Sequence, residues 1–298
     1  QLQNAKSLQQ EFITQLRDYT APERTAVAFE ANVKRNRYRD IPCFDQERVI
    51  LCKWPHDYIN ANYFNAPDGV KYIATQADHM DTQSDFWQMV VQEEATIILQ
   101  LCKFIEGETE KCAEYWPSDL KTSITVIDKF TIRRMSKPEE VVPGTTKTML
   151  RVESKAGNRL VQHLLCDAWP DALAPSDPNT ILKLWKYIKQ EVKAKPGPVV
   201  VHCSAGVGRT ATFIALSYGV EILKKPGTSV ADVVKEARKV RAKAVQTPVQ
   251  YIFLHCCYLE LFIQMNLIQR TPAVVALFDN LRKYIEKKLE KREKTEKS

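Results

Sequence analysis

Apolar positions along the chain follow a helical period in some segments and a strand period in others. Apolar residues recur three and four positions apart in several segments, and a further helix begins at Pro178 behind the capping residue Asp177. This spacing predicts helices at residues 7–19, 81–94, 209–223, 230–241 and 248–264, and from 273 onward. Alternating or continuous apolar runs predict strands at residues 71–76, 96–101, 124–132, 148–152, 159–165 and 199–201. Residues 35–65 carry turn formers and polar pairs, and we predict irregular structure there.

The order of these elements predicts the class of fold. Strands are concentrated in the middle of the chain and helices towards its two ends, which is typical of an α/β (α+β) domain with a central mixed sheet flanked by helices. No linker divides the chain in two. We expect one folded body over residues 1–270 and a basic helical tail over residues 271–298. Only about the last twenty residues, which are densely charged, are expected to be detachable.

Composition narrows the class of protein. The chain has 298 residues, of which 44% are hydrophobic and 27% charged, and these fractions exclude wholesale disorder. No apolar run approaches the roughly 18 residues of a membrane-spanning helix, and no basic-then-apolar leader opens the chain. The eight cysteines form no Cys-x-x-Cys pair, so a zinc or redox site gains little support and a reduced, intracellular protein is favoured.

The net charge of +7 is unevenly distributed. Residues 282–297 contain eight Lys or Arg and four Asp or Glu, so this segment carries +4 and the rest of the chain only +3. A nucleic-acid-binding domain more usually carries a basic stripe on its folded body, and we therefore predict no nucleic-acid partner. A solvated helix end is the favoured interpretation of the tail, and attraction to an anionic membrane or an acidic partner is the alternative.

One short segment indicates a particular chemistry. Residues 199–210 read as a buried strand, a tight loop of small residues and a helix. A turn of this kind presents successive backbone N–H groups to an anion at the positive end of the helix dipole. Gly206 and Gly208 let the backbone curl closely around that anion. Arg209 offers a planar fork that suits two oxygens of a phosphate.

Cys203 opens the same loop, so its sulfur is expected to face the anion site. The N–H groups there stabilise the thiolate, which is the nucleophilic form of cysteine. A nucleophile and a phosphate-binding loop in one segment predict a covalent phospho-cysteine intermediate. The leaving oxygen then needs a proton, which a general acid from elsewhere in the chain must supply.

This segment resembles the signature of a known family. Residues 202–210 match the His-Cys-x5-Arg-Ser/Thr motif of the protein tyrosine phosphatases. Other segments that resemble this family, in the family's order, are residues 36–40, 57–62, 72–76, 85–87, 111–117, 169–171 and 245–251. The resemblance runs from about residue 10 to residue 265. It implies the tyrosine-specific class and the protein tyrosine phosphatase fold, a single domain with a highly twisted mixed sheet.

The resemblance implies a role for each matching residue. Cys203 is the nucleophile, Arg209 the phosphate clamp, and Asp171 the general acid and then the base. The backbone of the loop binds the phosphoryl oxygens, through Ser204, Ala205, Gly206, Val207 and Gly208, while Thr210 assists breakdown of the intermediate and His202 supports the loop. Gln246, beside Gln250, positions the attacking water. Tyr38 stacks on the substrate ring, Asp40 binds the peptide, and Lys111 together with Glu106 contacts the closed acid loop. No metal and no cofactor is implied, because Arg209 and the N–H groups supply the positive field.

The implied activity is hydrolysis of phosphotyrosine in proteins, so the expected partners are tyrosine-phosphorylated proteins. Residues 1–270 are then the catalytic domain and residues 271–298 a basic C-terminal helical tail. We expect a cytoplasmic protein without a transmembrane segment in this chain, and the intracellular domain of a longer protein is the open alternative. No particular oligomeric state is indicated.

The acid loop, residues 169–175, departs from the family's pattern. The family usually places a bulky residue or His and then Gly after the aspartate, where this chain has Ala172 and Leu173. Ala172 removes cover over the substrate, and we expect Leu173 to meet dihedral angles that favour glycine. Because closure of this loop brings the acid into place, a catalytically weak or inactive pseudophosphatase that binds phosphotyrosine is the alternative hypothesis.

Overall fold

The computed structural model describes residues 4–119 and 121–296. Its α-helices are α1 (Ala5–Glu11), α2 (Val27–Ala31), α3 (Gln83–Gln92), α4 (Pro178–Ala194), α5 (Arg209–Leu223), α6 (Val230–Val240), α7 (Pro248–Gln264) and α8 (Pro272–Glu296). Shorter helical turns are a π-helix at Phe12–Leu16 and 3₁₀ turns at Val33–Arg35 and Met80–Thr82. Its strands are β1 (Arg48–Ile50), β2 (Tyr58–Asn65), β3 (Lys71–Thr75), β4 (Ile97–Gln100), β5 (Ile105–Glu106), β6 (Thr109–Glu110), β7 (Ile124–Ile127), β8 (Phe130–Arg134), β9 (Glu139–Val142), β10 (Thr145–Ser154), β11 (Gly157–Cys166) and β12 (Val199–His202).

Most of the strands form a large mixed sheet, while β5 and β6 form a separate hairpin. The order across the large sheet is β1-β2-β3-β12-β4-β11-β10-β8-β7, and β9 pairs with β10. The β12 strand is parallel to both β3 and β4, and β4 is parallel to β11. The pairs β1–β2, β2–β3 and β10–β11 are antiparallel. The predicted class, a single domain with a mixed sheet flanked by helices, is confirmed.

Three parallel strands end together at one edge of this sheet. The register pairs His202, the last residue of β12, with Thr75 of β3 on one side and with Gln100 of β4 on the other. Ligands of such sheets bind outside the carboxyl ends of the strands. The loop that follows His202 therefore emerges at the centre of the edge where a site is expected.

The elements on either side of that loop belong to the core. The three valines of β12 form a continuous apolar run, as in strands covered on both faces, and all four residues of the strand are buried. Helix α5 is buried on nearly every side, with Phe213 and Ile214 in the core. The loop is thus held at both ends by elements whose movement would open the core.

The prediction of irregular structure at residues 35–65 is wrong over its second half, where β1 and the eight-residue strand β2 lie. The apolar pattern of β2 is hidden because two of its buried residues are Asn60 and Asn62. Asn60 donates a hydrogen bond to Asn36 Oδ1 (3.0 Å), and Asn62 Oδ1 accepts one from Arg241 (2.8 Å). Buried polar groups are tolerated when they have such partners, and no local pattern reveals partners so far along the chain.

The C-terminal segment is packed on the body of the domain. Helix α8 lies against α7, and its residues Leu281 and Ile285 are fully buried. The expectation of a detachable end is therefore wrong for this part of the helix, while the division of the chain at residue 270 stays a prediction. No helix within the described residues is both long and apolar enough to cross a membrane.

Candidate active site

The cysteine loop, residues 203–209, turns tightly against the end of β3. Gly206 has a φ angle of +70°, and a Cβ atom there would lie 2.2 Å from the carbonyl oxygen of Thr75. Only glycine fits such a position. Cys203 is buried at the start of the loop, and Arg209, only 1% exposed, begins α5. The sulfur and the guanidinium are therefore presented from fixed ends.

A buried arginine holds this loop from behind. The guanidinium of Arg241 is fully buried and donates hydrogen bonds to the carbonyl oxygens of Gly206 (3.1 Å) and Ala205 (3.2 Å). The carbonyl oxygens of Ser204 and Val207 each accept a main-chain N–H at 2.9 Å. Because the carbonyl oxygens are bound on this side, the N–H groups of the loop are left to its opposite, concave side, as in an anion-binding nest.

The side chain of Arg209 is oriented by two other segments. Its Nη1 and Nη2 atoms donate to the two carboxylate oxygens of Glu106 (2.6 and 3.2 Å), and Nη1 also donates to the Trp169 carbonyl oxygen (3.2 Å). Burial opposes the charged form, but the negative charges of Cys203 and Glu106 outweigh it and raise the pKa of Arg209 above its ordinary value. The Nε atom is buried without a hydrogen-bond partner among the described residues.

Asp171 connects the acid loop to the cysteine loop. Its Oδ1 atom accepts a hydrogen bond from Arg209 Nη2 (3.0 Å), and its Oδ2 atom accepts one from Lys111 Nζ (2.9 Å). Burial favours the neutral acid, but Arg209 and Lys111 outweigh it and hold the pKa of Asp171 below its ordinary value. The acid loop therefore lies against the cysteine loop, with an ionised carboxylate between two cations.

The backbone of the acid loop turns at Ala172. This residue has a φ angle of 57°, and its carbonyl oxygen accepts a hydrogen bond from Thr247 Oγ1 (2.9 Å). Trp169 Nε1 donates to the Leu173 carbonyl oxygen (3.0 Å) across the turn. The expectation that Leu173 meets dihedral angles that favour glycine is wrong, because the left-handed conformation falls one residue earlier.

Tyr38 and Asp40 lie on another side of the site. A hydrogen bond of 2.8 Å joins the hydroxyls of Tyr38 and Ser204. Arg37 fixes this segment by donating hydrogen bonds to main-chain carbonyl oxygens after β3. Asp40 is at the exposed rim and pairs with Lys243 (2.8 Å). The hydrogen bond from Lys243 lowers the pKa of Asp40 below its ordinary value.

The remaining predicted residues surround the loop. The Gln246 N–H donates to Gln250 Oε1 (3.0 Å), and Gln250 is buried beside the loop. Thr210 is fully buried at the start of α5. Its hydroxyl and the Gln250 side-chain nitrogen have no hydrogen-bond partner among the described residues. The ring of His202 lies behind the loop, where its Nε2 atom is hydrogen-bonded to the Tyr115 hydroxyl (2.8 Å).

The structure thus brings the predicted residues to one edge of the sheet, although Asp40 is bound to Lys243 at the rim and the Gln246 side chain is exposed. Sequence reasoning missed Arg241, which holds the loop. The local sequence does not distinguish this arginine from the basic residues around it. Its burial and its hydrogen-bond partners distinguish it, and both are set by the tertiary structure.

A cysteine that opens an anion-binding loop, with a buried arginine at the end of that loop, defines a class of phosphate-handling enzyme. A family model described as protein-tyrosine phosphatase matches residues 32–260. The human tyrosine-protein phosphatase non-receptor type 7 is 38% identical over 259 residues, which are 84% of this chain and 69% of that relative. The rat receptor-type tyrosine-protein phosphatase C is 36% identical over 237 residues, 77% of this chain and 18% of that protein.

A solved structure agrees with these matches. The crystal structure of the catalytic domain of human protein tyrosine phosphatase non-receptor type 18 superposes on this chain with a TM-score of 0.75 and 32% sequence identity. The match covers 86% of this chain and 94% of the chain in that structure. The chain belongs to the protein-tyrosine phosphatase family, as its sequence predicts, and it is an enzyme of that class.

Proposed function

We propose that this enzyme hydrolyses phosphotyrosine in proteins through a cysteinyl-phosphate intermediate, with Asp171 as general acid and then general base. The observation that carries the proposal is the hydrogen bond between Asp171 and Arg209 (3.0 Å), the arginine that ends the loop opened by Cys203. The nucleophile and the anion-binding loop belong to one segment, and the acid loop brings the proposed proton donor, Asp171, to that segment.

In the first step the Cys203 thiolate attacks phosphorus. The S–P bond forms while the bond between phosphorus and the phenolic oxygen breaks. The N–H groups of the cysteine loop and the fork of Arg209 bind the phosphoryl oxygens and stabilise the charge that develops on them. Asp171 gives its proton to the phenolic oxygen, so the tyrosine side chain leaves as a neutral phenol.

Asp171 must carry a proton for this step, although its pKa is lowered in the structure. Burial favours the neutral acid, and the charges of Arg209 and Lys111 oppose it. A phosphate dianion bound to the Arg209 fork would offset the charge of that guanidinium. With the influence of Arg209 offset, the pKa of Asp171 would rise, so substrate binding itself favours the protonated acid.

In the second step a water molecule positioned by Gln246 attacks phosphorus. Asp171, now a carboxylate, accepts a proton from this water, the S–P bond breaks, and inorganic phosphate leaves. The Thr210 hydroxyl, buried at the start of α5 without another partner among the described residues, would donate a hydrogen bond to the departing sulfur. The Cys203 thiolate is regenerated, so no other reactant is consumed.

Tyr38 supports the choice of phosphotyrosine as substrate. Its hydroxyl contacts Ser204 of the cysteine loop, and a ring there would stack on the substrate ring and set a depth that phosphoserine and phosphothreonine do not reach. A solved structure described as PTPN18 in complex with HER2 phosphopeptides has a TM-score of 0.73 and 33% identity to this chain. By analogy, Asp40 would exchange Lys243 for the peptide backbone.

The contacts of the acid loop favour turnover over the pseudophosphatase alternative. An alanine in the left-handed region costs roughly 1–2 kcal/mol, yet Asp171 still lies within hydrogen-bond distance of Arg209. The departures at Ala172 and Leu173 therefore do not keep the acid away from the site.

Phosphate release from phosphotyrosine, phosphoserine and phosphothreonine peptides tests this proposal. We expect release from phosphotyrosine alone. Cys203→Ser should abolish release and keep peptide binding, and Asp171→Asn should lower kcat by roughly 10²–10⁴-fold, the usual contribution of a general acid. The matched control is Cys52→Ser, which alters an exposed cysteine on the β1–β2 connection and should leave kcat unchanged.

Two results would contradict the proposal. Undiminished turnover by Cys203→Ser would exclude the cysteinyl-phosphate intermediate. Tight binding of the phosphotyrosine peptide without release by the unchanged protein would establish the pseudophosphatase instead.

A further inference from the structure

The far end of helix α8 returns to the acid loop. The helix is anchored on the body by the buried side chains of Leu281 and Ile285. It is also anchored by Asn280, whose Oδ1 atom accepts a hydrogen bond from the Ala5 N–H (2.9 Å). These anchors determine where the following turns of the helix lie. The basic end of the chain is therefore brought to the site by packing.

Arg292, two turns beyond Ile285, contacts the acid loop directly. Its Nη1 atom donates a hydrogen bond to the main-chain carbonyl oxygen of Asp171 (2.5 Å). A cleft of about 380 Å³ separates the helix from the loop, with Leu289 and Arg292 on one side and Trp169 on the other. The arginine side chain spans this cleft and holds the residue whose carboxylate faces the cysteine loop.

We propose that the end of α8 is a latch that holds the acid loop against the cysteine loop, with Arg292 as a positioning residue for Asp171. This inference rests on the proposed role of Asp171 as general acid. Arg292 donates to the main chain of the acid loop, and the proposed effect on Asp171 is transmitted through this contact.

The latch matters most when substrate is bound. Without substrate, the carboxylate of Asp171 is held by Arg209 and Lys111. A phosphate group that takes the fork of Arg209 competes with the first of these bonds. The contacts made by main-chain carbonyl oxygens of the loop do not use the carboxylate, and the bond from Arg292 is one of them. It therefore persists while the carboxylate transfers its proton.

The sequence of the acid loop gives a reason for such a latch. Ala172 occupies the left-handed region at φ 57°. This conformation is unfavourable for a residue that has a Cβ atom, whereas glycine adopts it readily. The loop conformation is thus strained at the residue after Asp171. Contacts from outside must oppose this strain, and those made to Asp171 and Ala172 by Arg292 and Thr247 are on the two residues concerned.

The test compares Arg292→Ala with Arg292→Lys and with the matched control Lys291→Ala. The control removes the same positive charge from the preceding residue of α8, which is exposed. Each variant is assayed with a phosphotyrosine peptide and with an aryl phosphate whose nitrated phenol leaves without a proton. We expect Arg292→Ala to lower kcat for the peptide about tenfold, the value of one charge-assisted hydrogen bond, with a much smaller change in KM. The loss should be nearly absent with the nitrated substrate, and Arg292→Lys should restore part of it.

Three results would overturn the latch. These are an unchanged or increased kcat in Arg292→Ala, an equal loss with both leaving groups, and an equal loss in Lys291→Ala. The equal loss with both leaving groups would mean a general structural defect, because only a misplaced acid spares a leaving group that needs no proton.

A second readout does not require turnover. The indole N–H of Trp169 donates to Leu173 inside the acid loop, so its nitrogen–proton NMR resonance, assigned with Trp169→Phe, reports the conformation of the loop. It should shift in Arg292→Ala and stay in place in Lys291→Ala. Failure of the proposed function would appear as absent turnover in the unchanged protein with this shift intact. Failure of the latch would appear as normal turnover in the unchanged protein together with a Trp169 resonance that does not shift in Arg292→Ala.

Discussion

Replacing Gly206 by alanine tests whether the cysteine loop depends on close approach to β3. The added Cβ would lie 2.2 Å from the carbonyl oxygen of Thr75 and 2.8 Å from the main-chain nitrogen of Gln76. Both are backbone atoms at the end of β3, which is paired with β2 and with β12. The strand cannot shift without breaking those pairings, so the loop itself must move.

Gly227 provides the matched control. Its φ angle is +80°, close to the +70° of Gly206, but a Cβ there would meet nothing within 4 Å. Gly227→Ala therefore measures the dihedral penalty alone, about 1–2 kcal/mol, less the 0.4–1 kcal/mol gained by restricting the unfolded chain. Gly206→Ala adds the steric clash, which costs roughly 1–3 kcal/mol in a packed site.

Thermal unfolding and kinetics measure the difference between the two variants. With about 2 °C of Tm per kcal/mol for a domain of this size, we expect Gly206→Ala to unfold roughly 2–6 °C below Gly227→Ala. Displacement of the loop should also lower kcat/KM for a phosphotyrosine peptide by about 10²-fold, since misplacement by about 1 Å has that effect. Gly227→Ala should keep its activity. Equal Tm values and equal activities in the two variants would refute the reasoning.

Two further predictions concern charges around the loop. Glu106→Ala leaves the buried guanidinium of Arg209 without its main partner and should lower the free energy of unfolding by about 3 kcal/mol. The control Glu110→Ala, on the same hairpin, removes a carboxylate that is 59% exposed and should lower the free energy of unfolding by less than about 1 kcal/mol. Denaturant unfolding decides this, and equal losses would contradict it. Burial raises the pKa of Asp78 from 3.8 to about 7, so folding favours its protonated form and its contribution to stability falls as pH rises from about 4 to 7. Asp78→Asn should therefore gain stability relative to the unchanged protein by up to roughly 4 kcal/mol across that range, at about 1.4 kcal/mol per pKa unit; a pH-independent difference in unfolding free energy would exclude a titrating Asp78.

Sequence alone was sufficient where the determinants are local. The run of valines before Cys203, the two glycines of the loop and the helix that begins at Arg209 follow from short-range preferences of the backbone. The capping of α4 by Asp177 likewise lies within two residues of the group it satisfies. The class of fold, the family and the segments that form the site could therefore be predicted.

The tertiary structure decided what depends on distant partners. Glu106 reaches Arg209 across 103 residues of sequence, and Arg292 reaches the carbonyl of Asp171 across 121. Strand β2 escaped prediction because its buried asparagines are satisfied only by residues remote in the chain. The left-handed residue of the acid loop proved to be Ala172, one position before the expected one. Periodicity records which side of an element is apolar, but the partner of a buried charge or carbonyl is chosen by packing between elements, and no local pattern encodes it.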